Sequence, residues 1–195
     1  MQNLKKKNIS NKYHIMVMFH NSFVKPSLIV LALFLCFVPS FCSDRIVQVT
    51  DICSKHKIPY NCAIILNAIP GVSTKGAVLG SLSSYLITMA NVNAFNTITL
   101  IHELVSNTSD TNLKQIYASC SMDYNDALLS ITYVKDSFNS GDFNGMNSNA
   151  AIVVKDIEHC GLKAPDSTPL LKYNQPLEDV TNIIMILADY LAGKY

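Results

Sequence analysis

The chain has 195 residues, 49% of them hydrophobic, with a formal net charge of +1 and six cysteines, enough for one compact domain with a sizeable core. Over residues 43–195 no cluster of Lys or Arg interleaves with aromatics on one face, which argues against a nucleic-acid partner. Residues 1–42 contain Lys5, Lys6, Lys7, Lys12 and Lys25 but no Asp or Glu, followed by an apolar run from Leu28 to Val38 that Pro39 breaks. That run is too short for the roughly 20 residues of a membrane-spanning helix. With the small Ser40 and Cys42 behind it, the segment reads as a secretory signal peptide cut after Cys42, with Met16 or Met18 as alternative starts. The remaining residues 43–195 hold 10 Lys or Arg against 14 Asp or Glu, a net of −4, so a basic protein surface is the better electrostatic partner.

After Cys36 and Cys42 leave with the leader, Cys53, Cys62, Cys120 and Cys160 remain, and an even count in a secreted chain implies a disulfide framework. Four cysteines allow three pairings. Local pairing, Cys53 with Cys62 and Cys120 with Cys160, is the simplest. Loop-closure entropy would make the first worth at most about 3 kcal/mol and the second about 4 kcal/mol.

The segment 44–70 carries Ile46, Val49, Cys53 and then Cys62, Ile65, Leu66, two short amphipathic pieces broken at Pro59, read as a helical hairpin. Thr74 to about Asn107 is expected to be a long helix capped by Ser73 or Thr74 after the Pro70-Gly71 turn, with Val78, Leu82, Tyr85, Met89, Val92, Ala94, Ile98, Ile101 and Val105 as its apolar stripe. Gly76 and Gly80 within it are read as close packing or chance. A second helix, capped by Asp110 and stopped by Gly141, carries the unbroken stripe Leu113, Ile116, Cys120, Tyr124, Ala127, Ile131, Val134, Phe138 over roughly 28 residues, about 42 Å. The stripe Phe143, Met146, Ala150, Val153, Ile157, Cys160 follows so closely that the two helices must be antiparallel neighbours. A linker from Gly161 to Lys172 leads to a last helix, Leu177, Val180, Ile184, Leu187, Leu191, with Pro176 in its first turn. These readings predict an all-α domain over 43–195, a hairpin followed by a four-helix bundle over 73–193.

The ordered set of a leader, a hairpin bounded by Cys53 and Cys62, a long helix, Cys120-Ser121-Met122-Asp123-Tyr124-Asn125-Asp126-Ala127-Leu128, Ser140-Gly141-Asp142-Phe143 and Cys160 resembles the plant invertase and pectin methylesterase inhibitor family across nearly the whole mature chain. Ile131, rather than Leu, fills one nearby core position. The resemblance implies an up-down four-helix bundle with an N-terminal hairpin, two disulfides and reversible one-to-one inhibition of a cell-wall carbohydrate enzyme. Invertase inhibitors of the family carry Pro-Lys-Phe in the turn that here reads Gly141-Asp142-Phe143, so their inserting element is missing. That favours pectin methylesterase as the partner, with acid invertase, or a secreted helical binding protein without inhibitory activity, as alternatives. In the other direction, many pectin methylesterase inhibitors place Thr where this chain has Lys155.

A search for chemistry argues against an enzyme. His102-Glu103 lacks the second His of a zinc protease, and no Gly-x-Ser-x-Gly occurs. His159 beside Cys160 is read as a neighbour of a structural disulfide rather than thiol or metal chemistry. Asp123, Asp126 and Glu158 are read as solvated, not as metal ligands, and no cofactor is expected. Four cysteines are too few for the eight-cysteine lipid carriers that this chain resembles in size, and helix packing would consume the apolar stripes. Asn107-Thr108-Ser109 is a glycosylation sequon, placed in a loop; the other match, Asn8-Ile9-Ser10, is lost with the leader.

With no reactive group, inhibition has to work by covering surface. The polar faces of the second and third bundle helices are the candidates: Asp123 and Asn125 on the former, Asn144, Asn147, Ser148 and Lys155 on the latter.

Overall fold

The computed structural model describes residues 45–73, 76–166 and 168–195. The leader, its cleavage site, and the cap placed at Thr74 lie outside them. In chain order the elements are β1 (Ile46–Val47), α1 (Val49–Cys53), α2 (Pro59–Asn67), β2 (Ala77–Val78), α3 (Leu79–Asn107), α4 (Thr111–Ser140), α5 (Phe143–Lys163) and α6 (Leu171–Leu191). The four long helices form a ring: α3 packs on α4, α4 on α5, α5 on α6, and α6 closes against α3. The hairpin α1–α2 docks on α6, and Ile52, Cys62 and Leu66 are fully buried in the same core as the bundle.

The second helix matches its expected limits because both signals are strong. The Asp110 carboxylate accepts from the amides of Asn112 and Leu113, and Gly141 adopts φ +77° to end the helix, a conformation that costs glycine little. One residue later Asp142 caps α5 by accepting from the Gly145 amide. Both expected disulfides are present, Cys53 with Cys62 in the hairpin and Cys120 with Cys160 between α4 and α5.

Several boundaries differ from those expected. The first bundle helix starts at Leu79, not Thr74, because Ala77–Val78 pair antiparallel with Ile46–Val47. Gly76 just before has φ +106°, and a Cβ there would lie 2.6 Å from the Val47 oxygen, so the glycine is set by this ladder and not by helix packing. The apolar stripe of α3 is also rotated: Leu79, Leu82, Leu86, Ala90, Ala94, Ile98 and Ile101 are buried, whereas Tyr85 and Val92 are exposed. Helix α5 runs three residues beyond Cys160 to Lys163, whose ammonium is held by α4.

The last helix begins at Leu171, so Pro176 is inside it rather than in its first turn. Proline removes one rung of the helical ladder, a cost that tertiary contacts offset here. Leu170 is fully buried, and buried Asn174 accepts from the Tyr124 hydroxyl at 2.7 Å. The linker thereby shrinks to 164–170. Asn107 is the last residue of α3 rather than part of a loop, and it is exposed.

Candidate functional site

Antiparallel packing of α4 on α5, clamped by Cys120–Cys160, brings the two sets of candidate residues onto neighbouring helices. Along α5, Asn144, Ser148 and Lys155 are exposed, as the spacing away from the buried stripe predicts. Asn125 on α4 is exposed too, with its amide folded back onto the Ser121 carbonyl at 2.7 Å.

Two candidates are committed elsewhere. Asn147 donates to the Met185 carbonyl at 3.0 Å and to the Asp189 carboxylate at 3.1 Å, so it joins α5 to α6. Asp123 is buried, contrary to the solvated face expected for it. Its carboxylate accepts from His159 Nδ1 at 2.8 Å and from Lys163 Nζ at 3.1 Å, and the same ammonium donates to Ser119 Oγ at 2.6 Å. The reason is helical phase: Asp123 adjoins Tyr124 at the edge of the buried stripe and faces the last two turns of α5. A carboxylate buried there needs charged donors.

Asp156 on α5 lies near the same charges. One of its carboxylate oxygens is buried without a hydrogen-bond partner. Burial raises its pKa, the nearby charges of Asp126 and Asp123 raise it further, and Lys155 and His159 act in the opposite direction. Beside the exposed polar residues the two helices thus carry a cluster of three carboxylates, Asp123, Asp126 and Asp156, with His159 and Lys163 paired to Asp123. Among the described residues no group of three or more His, Cys, Asp or Glu is arranged to hold a metal ion. Cys160 is in a disulfide and His159 is paired with Asp123.

The sequence reading passed over a set of exposed apolar residues on these helices: Met122, Leu129 and Tyr133 on α4, and Ile152 and Leu162 on α5. A signal for them exists on α4, since Met122, Leu129 and Tyr133 stand at helical spacing two places after the buried Cys120, Ala127 and Ile131. The face therefore offers apolar contact area as well as polar groups. What it offers a partner is shape, hydrogen-bonding groups and charge.

No family model matches the chain. Over 150 residues it is 29% identical to a pectinesterase inhibitor of Actinidia deliciosa, covering 75% of this chain and 80% of that one. It is 23% identical to pectinesterase inhibitor 2 of Arabidopsis thaliana over 150 residues, 75% of this chain and 86% of the relative. Its fold superimposes on the crystal structure of mutant form A of a pectin methylesterase inhibitor from Arabidopsis with a TM-score of 0.65 at 20% identity, covering 72% of this chain and 95% of the other. A second pectin methylesterase inhibitor structure from Arabidopsis thaliana gives a TM-score of 0.56 at 20% identity, with 73% and 95% covered. The sequence is thus similar to pectinesterase inhibitors, and the fold is the one seen in pectin methylesterase inhibitors of known structure.

Proposed function

We propose that this chain is a proteinaceous inhibitor of a pectin methylesterase, which it blocks by seating α4 and α5 over the enzyme's polysaccharide cleft in a reversible complex of one inhibitor chain per enzyme. The observation that carries the reading is the likeness to two curated pectinesterase inhibitors along most of the chain. The absence of Pro-Lys-Phe at Gly141-Asp142-Phe143 supports the same target. A rigid helix pair stapled by a disulfide keeps its shape on binding, so little ordering entropy is lost. Two helices of this length can supply the roughly 1,600 Å² of a standard interface. The exposed apolar residues Leu129, Tyr133 and Ile152 give contact area, and Asn125, Asn144, Ser148 and Lys155 give direction.

The leader places the protein outside the cell, in the wall where pectin lies, with residues 43–195 as the mature inhibitor domain. No helix among the described residues is long and apolar enough to cross a membrane. The net charge of −4 on the mature chain speeds encounter with a basic wall enzyme, and added salt slows it.

The test is a titration of the processed, oxidised protein against a plant pectin methylesterase and an acid invertase, from mildly acidic to neutral pH. Stoichiometric loss of methylesterase activity alone is the expected result. Loss of invertase activity alone would move the protein to the other branch, and loss of neither would overturn the inhibitor reading for these enzymes.

A further inference from the structure

The outward face of α3 is unlike the rest of the surface. From Leu79 to Ile101 the helix has no Asp, Glu, Lys, Arg or His. Along its solvent side run Ser81, Tyr85, Thr88, Val92, Phe95 and Thr99, all exposed. Their steps of four, three, four, three and four residues are the spacing of a coiled-coil seam. The seam lies about 180° round the helix from the buried stripe through Leu86, Ala90 and Ala94, so the helix has two apolar edges and the bundle uses one. Tyr85, Val92 and Phe95 are 42%, 50% and 62% exposed, a cost that no contact within the described chain offsets.

We infer that this seam is the contact surface of a two-fold dimer, in which α3 packs antiparallel against α3 of a second copy. The argument is the symmetry of the seam about position 90. An antiparallel pair with its two-fold axis there sets Ser81 opposite Thr99, Tyr85 opposite Phe95, and Thr88 opposite Val92. Each end is small and hydroxylic, each intermediate position aromatic, and each central position β-branched, so the surface is complementary to itself, as a two-fold interface requires. Each Phe95 would sit over an open groove of about 870 Å³ on the other copy, lined by Tyr85, Thr88, Met89, Val92 and Phe138.

Two of the seam's hydroxyls are already satisfied within the helix. The hydroxyls of Thr88 and Thr99 donate to the carbonyls of Ser84 and Phe95 on their own helix, at 2.9 and 3.1 Å. Covering them therefore leaves no unpaired donor and presents their methyl groups to the partner. Two copies that each carry −4 repel, and a charge-free seam lets them meet with the least repulsion. A seam of about 27 Å buries an area near the roughly 1,000 Å² lower limit of specific interfaces. The dimer is accordingly weak, dependent on concentration, and strengthened by salt as the repulsion is screened.

The test is sedimentation equilibrium of the processed, oxidised protein from micromolar to near-millimolar concentration at low and high salt, with no enzyme present, so that its outcome is independent of inhibition. The expected result is a reversible rise from the monomer mass to twice that mass, larger at high salt. Phe95→Glu and Val92→Glu should each abolish it while the circular dichroism melt stays unchanged, since both side chains face solvent. Oxidative cross-linking between a Thr88→Cys copy and a Val92→Cys copy should exceed that between two Ser81→Cys copies. A monomer at every concentration, a dimer that persists in both glutamate variants, or preferential Ser81→Cys cross-linking would each overturn the proposal.

Discussion

Asn61 in the hairpin donates to the carboxylate of Asp179 on the last helix at 2.9 Å, across 118 positions of chain. Asp179 is buried, its other carboxylate oxygen accepts from Gln175 at 3.0 Å, and its backbone oxygen lies 3.3 Å from Nε2 of buried His56. The hairpin is thus fastened to the bundle by a polar knot as well as by Ile52 and Leu66. Asp179→Ala leaves the Asn61 and Gln175 amides without their acceptor and should cost about 2–3 kcal/mol in urea unfolding. Amide exchange should quicken in residues 45–67 more than in α4.

The Tyr124 hydroxyl donates to Asn174 Oδ1 at 2.7 Å inside the bundle. Burial drives the Tyr124 phenol well above its ordinary pKa, and a hydrogen bond with Thr97 offsets part of that rise. Tyr124→Phe keeps the ring and orphans Asn174, so unfolding free energy should fall by about 1–2 kcal/mol. In an alkaline spectrophotometric titration, Tyr124 should ionise only as the protein unfolds.

The two disulfides close loops of different span, with sequence separations of 9 and 40. Loop-closure entropy ranks their removal at about 3 kcal/mol for Cys53→Ala with Cys62→Ala and about 4 kcal/mol for Cys120→Ala with Cys160→Ala. Thermal melts should show the second double variant as the less stable. An inverted order would mean that hairpin docking depends on its bridge for more than chain entropy.

Asp156 carries a raised pKa because it is partly buried beside Asp126 and Asp123. Its folded-state value lies above the unfolded one, so ionised Asp156 weighs against the folded protein. That penalty grows as pH rises from the ordinary Asp range through the raised value, and it vanishes in stronger acid. Asp156→Asn should therefore raise the melting temperature at neutral pH and leave it unchanged well below the ordinary carboxylate range. Solvent screening of this partly exposed site limits the gain to about 0.5 kcal/mol. A gain that persisted in strong acid would rule out charge as its origin.

Lys155 and Ser148 both project to solvent from α5, in the middle of the proposed inhibitory face. Lys155→Glu and Ser148→Trp should each weaken inhibition of pectin methylesterase by roughly 1–3 kcal/mol, the range of interface residues that matter. Inhibition constants from the same titration check this, with unchanged melts as the control. Equal inhibition by both variants would move the interface to another face.

Periodicity served well where local signals and burial agree. Asp110, Gly141 and Asp142 punctuate the two central helices, and the buried stripe from Cys120 to Val134 is continuous, so both limits of α4, the start of α5, their antiparallel course and their bridge were legible. It served less well where distant contacts override local preference. Nothing near Ala77 signals that it pairs with Val47, and Pro176 normally marks a first turn, yet the docking of Leu170 and Asn174 extends the helix ahead of it. The same holds for the site. Lys155 and Ser148 are exposed as expected, but Asp123 belongs to an ion pair with partners 36 and 40 residues away in sequence, which local spacing cannot reveal. In α3 two apolar edges compete, and a single-stripe reading merged Tyr85 and Val92 into the core.

Helix α6 follows every other element in chain order, yet it closes the ring between α3 and α5 and also receives the hairpin. During synthesis the adjacent pair α4–α5 can meet at once across its short turn, and Cys53 can find Cys62 within a few residues. The core face of α3 and the inner face of the hairpin have to wait. Until α6 emerges, these two apolar faces stay uncovered, so the interval before the final helix arrives is when chaperone binding matters most.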